Sequence, residues 1–170
     1  LTITNLAKGD KNEIKVNKNL KAKGDITITN EEAAINVGQG ASMSGASVTI
    51  TATADDVVVD GGTITANSGN INLTADNAVP MNNGSVSATA GNVSMTANDA
   101  VTINNGAISA AAGSVNMNVV NNMTINDGSI TANAVNVTAP ELLVNGGIIK
   151  ATTVEASQKM TLTGGTVNTA

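Results

Sequence analysis

Residues 91–111 read GNVSMTANDAVTINNGAISAA, and this stretch decides the fold. Its apolar residues fall in short alternating groups: Val93 and Met95, Val101 and Ile103, then Ile108 with the small Ala110. Gly, Asn, Asp and Ala fill the gaps. The stretch before it follows the same plan with Ile71/Leu73, Val79/Met81 and Val86/Ala88. The stretch after it does so with Val115/Met117, Met123/Ile125 and Ile130/Ala132. A unit of about 22 residues therefore recurs, and repeats of that size mark a solenoid.

Extending the pattern outward gives three strands per unit, here a, b and c. Strand a carries Ile26/Ile28, Val48/Ile50, Ile71/Leu73, Val93/Met95, Val115/Met117, Val135/Val137 and Val154/Ala156. Strand b carries Ile35/Val37, Val57/Val59, Val79/Met81, Val101/Ile103, Met123/Ile125, Leu142/Val144 and Met160/Leu162. Strand c is anchored by Met43, Ile64, Val86, Ile108, Ile130, Ile149 and Val167. Each strand alternates apolar with polar, the period-two mark of one buried face. The spacing stays near 22 as far as Ile130 and then tightens to about 19, which shorter turns near Pro140 would explain.

Asn-Gly and related corners follow strand b, at Asp60-Gly61-Gly62, Asn83-Gly84, Asn105-Gly106, Asp127-Gly128, Asn145-Gly146-Gly147 and Gly164-Gly165. Such pairs also signal antiparallel hairpins. Column identity argues for stacking instead. A hairpin does not require every strand b to resemble every other, whereas stacked coils place like on like. The expected fold is all-β, a right-handed parallel β-helix (β-solenoid) of about eight coils of about 18–23 residues, with three short strands each. Eight coils at about 4.8 Å give a rod near 38 Å long. The chain reads as one domain, residues 1–170. Residues 1–22 form a divergent Lys-rich N-terminal coil with Leu1/Ile3, Ile14/Val16 and Leu20 as inward positions, and residues 23–170 form regular coils that shorten after about 134.

Composition fits this reading. The 170 residues contain no Phe, Tyr, Trp, Cys or His, yet 41% are hydrophobic. A broad globular core normally uses aromatics, whereas a narrow stack of small aliphatics does not need them. The formal charge is −5, which opposes non-specific nucleic-acid binding, and base-stacking platforms are absent. Six of the eight basic residues lie early, at Lys8, Lys11, Lys15, Lys18, Lys21 and Lys23, and suit a solvated rim or an acidic partner. Disulfide scaffolding and thiol chemistry are excluded. No run of about 20 apolar residues predicts a spanning helix. A start at Leu1 suggests a processed product or an excised segment.

Units such as Gly-Asn-Val-Ser-Met-Thr-Ala (91–97) and Val-Thr-Ile-Asn-Asn-Gly (101–106) resemble the repeats of filamentous haemagglutinin-like exoproteins, secreted by two-partner systems, and of related autotransporter passenger regions. The resemblance covers residues 23–170. It implies a secreted bacterial β-helical shaft used in adhesion, aggregation and biofilm formation, with the recognition tip or membrane anchor elsewhere.

Chemistry-bearing constellations are few. The a-to-b corners carry Asp55, Asp56, Asp76 and Asp99. Paired carboxylates serve as acid and base in glycoside hydrolysis, but no Arg, His or aromatic helper exists in the chain. Crowded carboxylates could also hold Ca²⁺, although the glycine-rich nonapeptide of Ca²⁺-binding rolls is missing. Strand a turns Thr27/Thr29, Thr49/Thr51, Asn72/Thr74, Ser94/Thr96, Asn116/Asn118 and Asn136/Thr138 outward. Flat Thr ladders can order water or ice, but mixing with Ser and Asn roughens this lattice. Val58, Pro80 and Leu143 form a sparse outward apolar row, and Met95 over Met117 reads as core.

The expectation is a non-enzymatic structural rod of an extracellular bacterial adhesin or fibre, able to self-associate end to end into filaments. No catalytic, cofactor-binding or metal-binding residue is assigned. Expected partners are further copies or adjacent repeats of a longer chain, and a host or neighbouring-cell surface through regions outside this chain. Neither nucleic acid nor membrane insertion is expected. The rival reading is a solenoid that binds ice or Ca²⁺, with a polysaccharide-degrading β-helix as the weakest.

Overall fold

Alternating Val, Ile, Leu and Met residues build flat strands whose buried faces can only be covered by neighbours of the same kind. A computed structural model describes residues 1–6 and 12–169, so Lys8 and Lys11 lie outside the described residues. It contains 22 strands and no helix among those residues. Among the described residues the strands of successive coils pair in parallel, apart from isolated antiparallel bridges between Asn126 and Gly146 and between Asn145 and Gly164, which replaces the hairpin alternative with stacking. The anchors of each face fall in one register. Ile26, Val48, Ile71, Val93, Val115, Val135 and Val154 form one column of face a. Met43, Ile64, Val86, Ile108, Ile130, Ile149 and Val167 form the column of face c.

Face b is an eight-stranded sheet of its own, running from Ile14–Val16 at one end to Lys159–Thr163 at the other. Eight layers enclose seven steps, so the solenoid makes about seven turns and the rod is about 34 Å long, shorter than the eight-step figure. Faces a and c belong to one 14-stranded sheet. They join because strands Ala107–Val119 and Ser129–Thr138 run through a corner without a break. At those two corners Ala111-Ala112-Gly113 and Asn133-Ala134 are small enough for the chain to bend while staying extended.

The tightening of the repeat starts earlier than Pro140. Ala110 pairs with Ala132 and Ser114 with Ala134, so the c-to-a corner loses two residues there. A third residue goes at Pro140, where Asn118 pairs with Thr138 but Asn122 with Glu141.

The core is one continuous cluster along the axis. Ile26, Ile50, Leu73, Met95 and Ile103 are each at most 1% exposed. Burying such a side chain contributes about 1.5–3 kcal/mol, and only a stacked neighbour makes the burial complete. The end layers demonstrate this. Ile3, Ile14 and Leu20 at one end, and Val154, Met160 and Val167 at the other, are only partly buried. Leu1, expected to point inward, falls in the column of Ile26 and is 53% exposed, with no layer beneath it among the described residues.

Backbone polarity alternates along every strand. The N–H of inward Ile26 donates to Ser47 O in the next coil at 3.0 Å. The N–H of outward Thr27 donates to Leu1 O in the preceding coil at 2.8 Å. Inward residues thus bond forward along the axis and outward residues bond backward.

Candidate functional site

The corner after strand b is the most regular local structure. Gly40, Gly61, Asn83, Asn105, Asp127, Gly146 and Gly164 occupy equivalent positions, with φ between 51° and 75°. Gly, Asn and Asp enter this left-handed region at least cost. At all of these corners but the first, where Ala41 follows Gly40, the next residue is Gly, and for a different reason. A Cβ on Gly84 would lie 2.6 Å from Val59 Cγ1, and one on Gly128 would lie 2.6 Å from Ile103 Cγ2. The inward residue of the coil below fills the space. The Asn-Gly signature therefore combines a backbone requirement with a packing requirement.

Beside these corners runs an amide ladder that the sequence reading passed over. Asn104 Nδ2 donates to Asn82 Oδ1 at 2.8 Å, Asn126 Nδ2 to Asn104 Oδ1 at 2.8 Å, and Asn145 Nδ2 to Asn126 Oδ1 at 3.1 Å. Its signal was Asn recurring at the repeat spacing.

The acidic corners take the same form. Asp56 Oδ1 accepts from Asn77 Nδ2 at 2.7 Å and from the Ala78 N–H at 2.9 Å. Asp76 accepts from Asn98 Nδ2 at 2.9 Å, and Asp99 from Asn121 Nδ2 at 2.6 Å. Asp55 Oδ1 caps the Asp56 N–H at 2.9 Å. Asp55, Asn77, Asp99 and Asn121 form one backbone-bonded line up the rod. Carboxylates alternate with amides there, so each charge meets a donor in place of another charge. Among the described residues no three acidic, His or Cys side chains gather as metal ligands.

Face a separates into two outward columns. One is Thr4, Thr29, Thr51, Thr74, Thr96, Asn118 and Thr138, nearly all Thr. The other mixes Thr2, Thr27, Thr49, Asn72, Ser94, Asn116, Asn136 and Glu155. On face b, Leu143 is separated from Pro80 by Thr102 and Thr124, so the outward apolar row is interrupted. Met95 and Met117 pair in register and are each 1% exposed.

One ion pair lies at the last layers of face b. Thr161 Oγ1 donates to Glu141 Oε1 at 2.6 Å, and Lys159 Nζ lies 2.9 Å from the same oxygen. The Thr161 hydroxyl first, then Lys159, hold the Glu141 carboxyl below its ordinary range. At the N-terminal end a groove of 330 Å³ is lined by Ile3, Ile14, Val16 and Leu20 with Lys15 and Lys18 at its edge. It lies at the end of the core formed by the described residues.

No helix among the described residues is long and apolar enough to cross a membrane. Family models, curated proteins and solved structures were all compared with the chain, and none matches.

Proposed function

We propose that this chain is a non-enzymatic structural rod, part of an extracellular bacterial adhesin or fibre of the filamentous haemagglutinin-like kind. One observation carries the reading: the inward columns of each face stay aligned from layer to layer, and changes in coil length are confined to the corners. Side-chain bonds between coils, such as Asn104 to Asn82, repeat the same contact from one layer to the next. A structure made of interchangeable layers sets distance and stiffness, and its work is spread over all of them. The half-buried rungs at the two ends suit coverage by further coils, whether from the same polypeptide or from a second copy.

The test is deletion of one unit, residues 91–112, which splices equivalent corner positions. A rod keeps its β-sheet circular dichroism and cooperative melting after this deletion. Electron microscopy of the parent chain then separates axial filaments from discrete spacers. Hydrolysis of a polysaccharide that disappears in Asp55→Asn/Asp56→Asn would replace the structural reading with an enzymatic one.

A further inference from the structure

Three corners share the dipeptide Asn-Gly: Asn83-Gly84, Asn105-Gly106 and Asn145-Gly146. As sequence they are equivalent. In the structure they are not. Asn83 and Asn105 are exposed, and neither side chain has a hydrogen-bond partner among the described residues. The N–H groups of Gly84 and Gly106 also lack an acceptor there, although the residues on both sides of each are bonded. At the third corner both groups are engaged. Asn145 Nδ2 donates to Asn126 Oδ1 at 3.1 Å, and the Gly146 N–H donates to Thr163 O at 3.1 Å.

We infer that Asn83 and Asn105 are sites of spontaneous deamidation in the folded rod and that Asn145 is protected. The backbone nitrogen of Gly84 gives up its proton and attacks Asn83 Cγ. The new N–Cγ bond closes a five-membered succinimide. The Cγ–Nδ2 bond breaks, and the side-chain nitrogen leaves as ammonia with the displaced proton. Water then adds to either ring carbonyl and yields aspartate or isoaspartate. Gly106 and Asn105 react in the same way. Glycine leaves the nucleophile unhindered, because it has no side chain beside the attacking nitrogen. At Asn145 the same reaction must first break a side-chain bond and a backbone bond between coils.

The corner accepts the aspartate product. Asp127 already occupies the equivalent position with φ 54°, against 52° and 51° for Asn83 and Asn105. Conversion of both would place carboxylates at three successive layers, about 4.8 Å apart. The aspartate product would therefore add negative charge along one edge of the rod, whereas isoaspartate would lengthen the main chain at the corner.

The experiment incubates the intact folded chain at mildly alkaline pH and maps its peptides by mass spectrometry over time. A parallel sample is held in concentrated urea. The expected result is aspartate and isoaspartate at positions 83 and 105, at least several-fold ahead of 145, in the folded chain, and similar rates at all three in urea. Equal rates at the three corners in the folded chain, or no conversion at 83 and 105 while urea permits it, would overturn the inference. An Asn83→Gly/Asn105→Gly variant serves as control, because Gly61 and Gly146 already hold this position. It should melt like the parent and accumulate acidic species at least several-fold more slowly on ageing. Acidic species that still form at the parent's rate would also count against the inference.

Discussion

Asn30 Oδ1 accepts a hydrogen bond from Asn5 Nδ2 at 3.2 Å, across the first step between coils. Asn30 is fully buried, and its Nδ2 donates to Asn12 O at 3.0 Å and to Ala34 O at 3.1 Å. In the coils above, the same column holds Ala52, Ala75 and Ala97. The two Asn residues thus tie the first coil and its corner to the second, where apolar coverage is incomplete. Asn30→Ala removes a donor from two carbonyls and should cost about 1–3 kcal/mol. The effect should be local. Hydrogen exchange should accelerate in residues 14–37 and stay unchanged in the middle coils. Uniform acceleration along the rod would contradict this role.

Pro80 interrupts the forward bonding of face b. Inward Val57 directs its N–H to Ala78 O at 3.1 Å, and by the same pattern its carbonyl faces the nitrogen of residue 80. Proline has no N–H to offer, and the ladder between these two strands is in register only at Met81 with Val59 and Asn82 with Asp60. Pro80→Thr, matching Thr102 and Thr124 in the same outward column, restores the donor. A hydrogen bond of about 1 kcal/mol exceeds the roughly 0.5 kcal/mol lost by freeing the unfolded chain. The expected outcome is a small rise in denaturation midpoint, with a newly protected amide at residue 80. A fall in midpoint would remove the argument.

Two glycine corners separate rigid from yielding neighbours. A Cβ at Gly84 meets Val59 Cγ1 at 2.6 Å and Val59 O at 3.0 Å, on a β-branched residue with little freedom. At Gly106 the nearest atom is Met81 Cε, at 2.5 Å, the end of a flexible chain. Gly84→Ala should destabilise by about 1–3 kcal/mol, and Gly106→Ala by clearly less. Chemical denaturation of the two variants decides it, and the reverse order would count against this packing account.

Acid should weaken the Glu141 contacts in the last layers of face b. Glu141 has its folded pKa lowered, chiefly by the Thr161 hydroxyl and then by Lys159. Its contribution is therefore complete above the unfolded value, about 4.3, and disappears as pH falls through the lower folded value. Thr161→Val should raise the Glu141 pKa toward the unfolded value. Carboxyl NMR titration reads this directly, and an unchanged titration in Thr161→Val would refute the assignment.

The sequence carried the columns because each inward pair is repeated above and below, and repetition multiplies a weak two-residue signal. Val93 alone is ambiguous, but Val93 between Ile71 and Val115 is not. Single events were harder to read. Asn30 carried no such signal, because its burial depends on the layer beneath it. Leu1 keeps its inward register opposite Ile26, but its exposure depends on the neighbouring layer as well. The continuous corner at Ala111-Ala112-Gly113 uses residues that elsewhere make turns. The acidic corners were legible as a charge pattern, but not as pairs with Asn77, Asn98 and Asn121, since those partners lie a full coil away.

The alternating bond directions of Ile26 and Thr27 have a mechanical consequence. Every bond between coils lies along the axis, so a load applied at the two ends acts on the layers in series, and they peel one at a time. Each coil of about 22 residues would release roughly 70 Å of slack chain before the next yields. The rod would act as an extensible tether that dissipates sudden pulls. Single-molecule force traces should then rise and fall in a regular sawtooth of that step length.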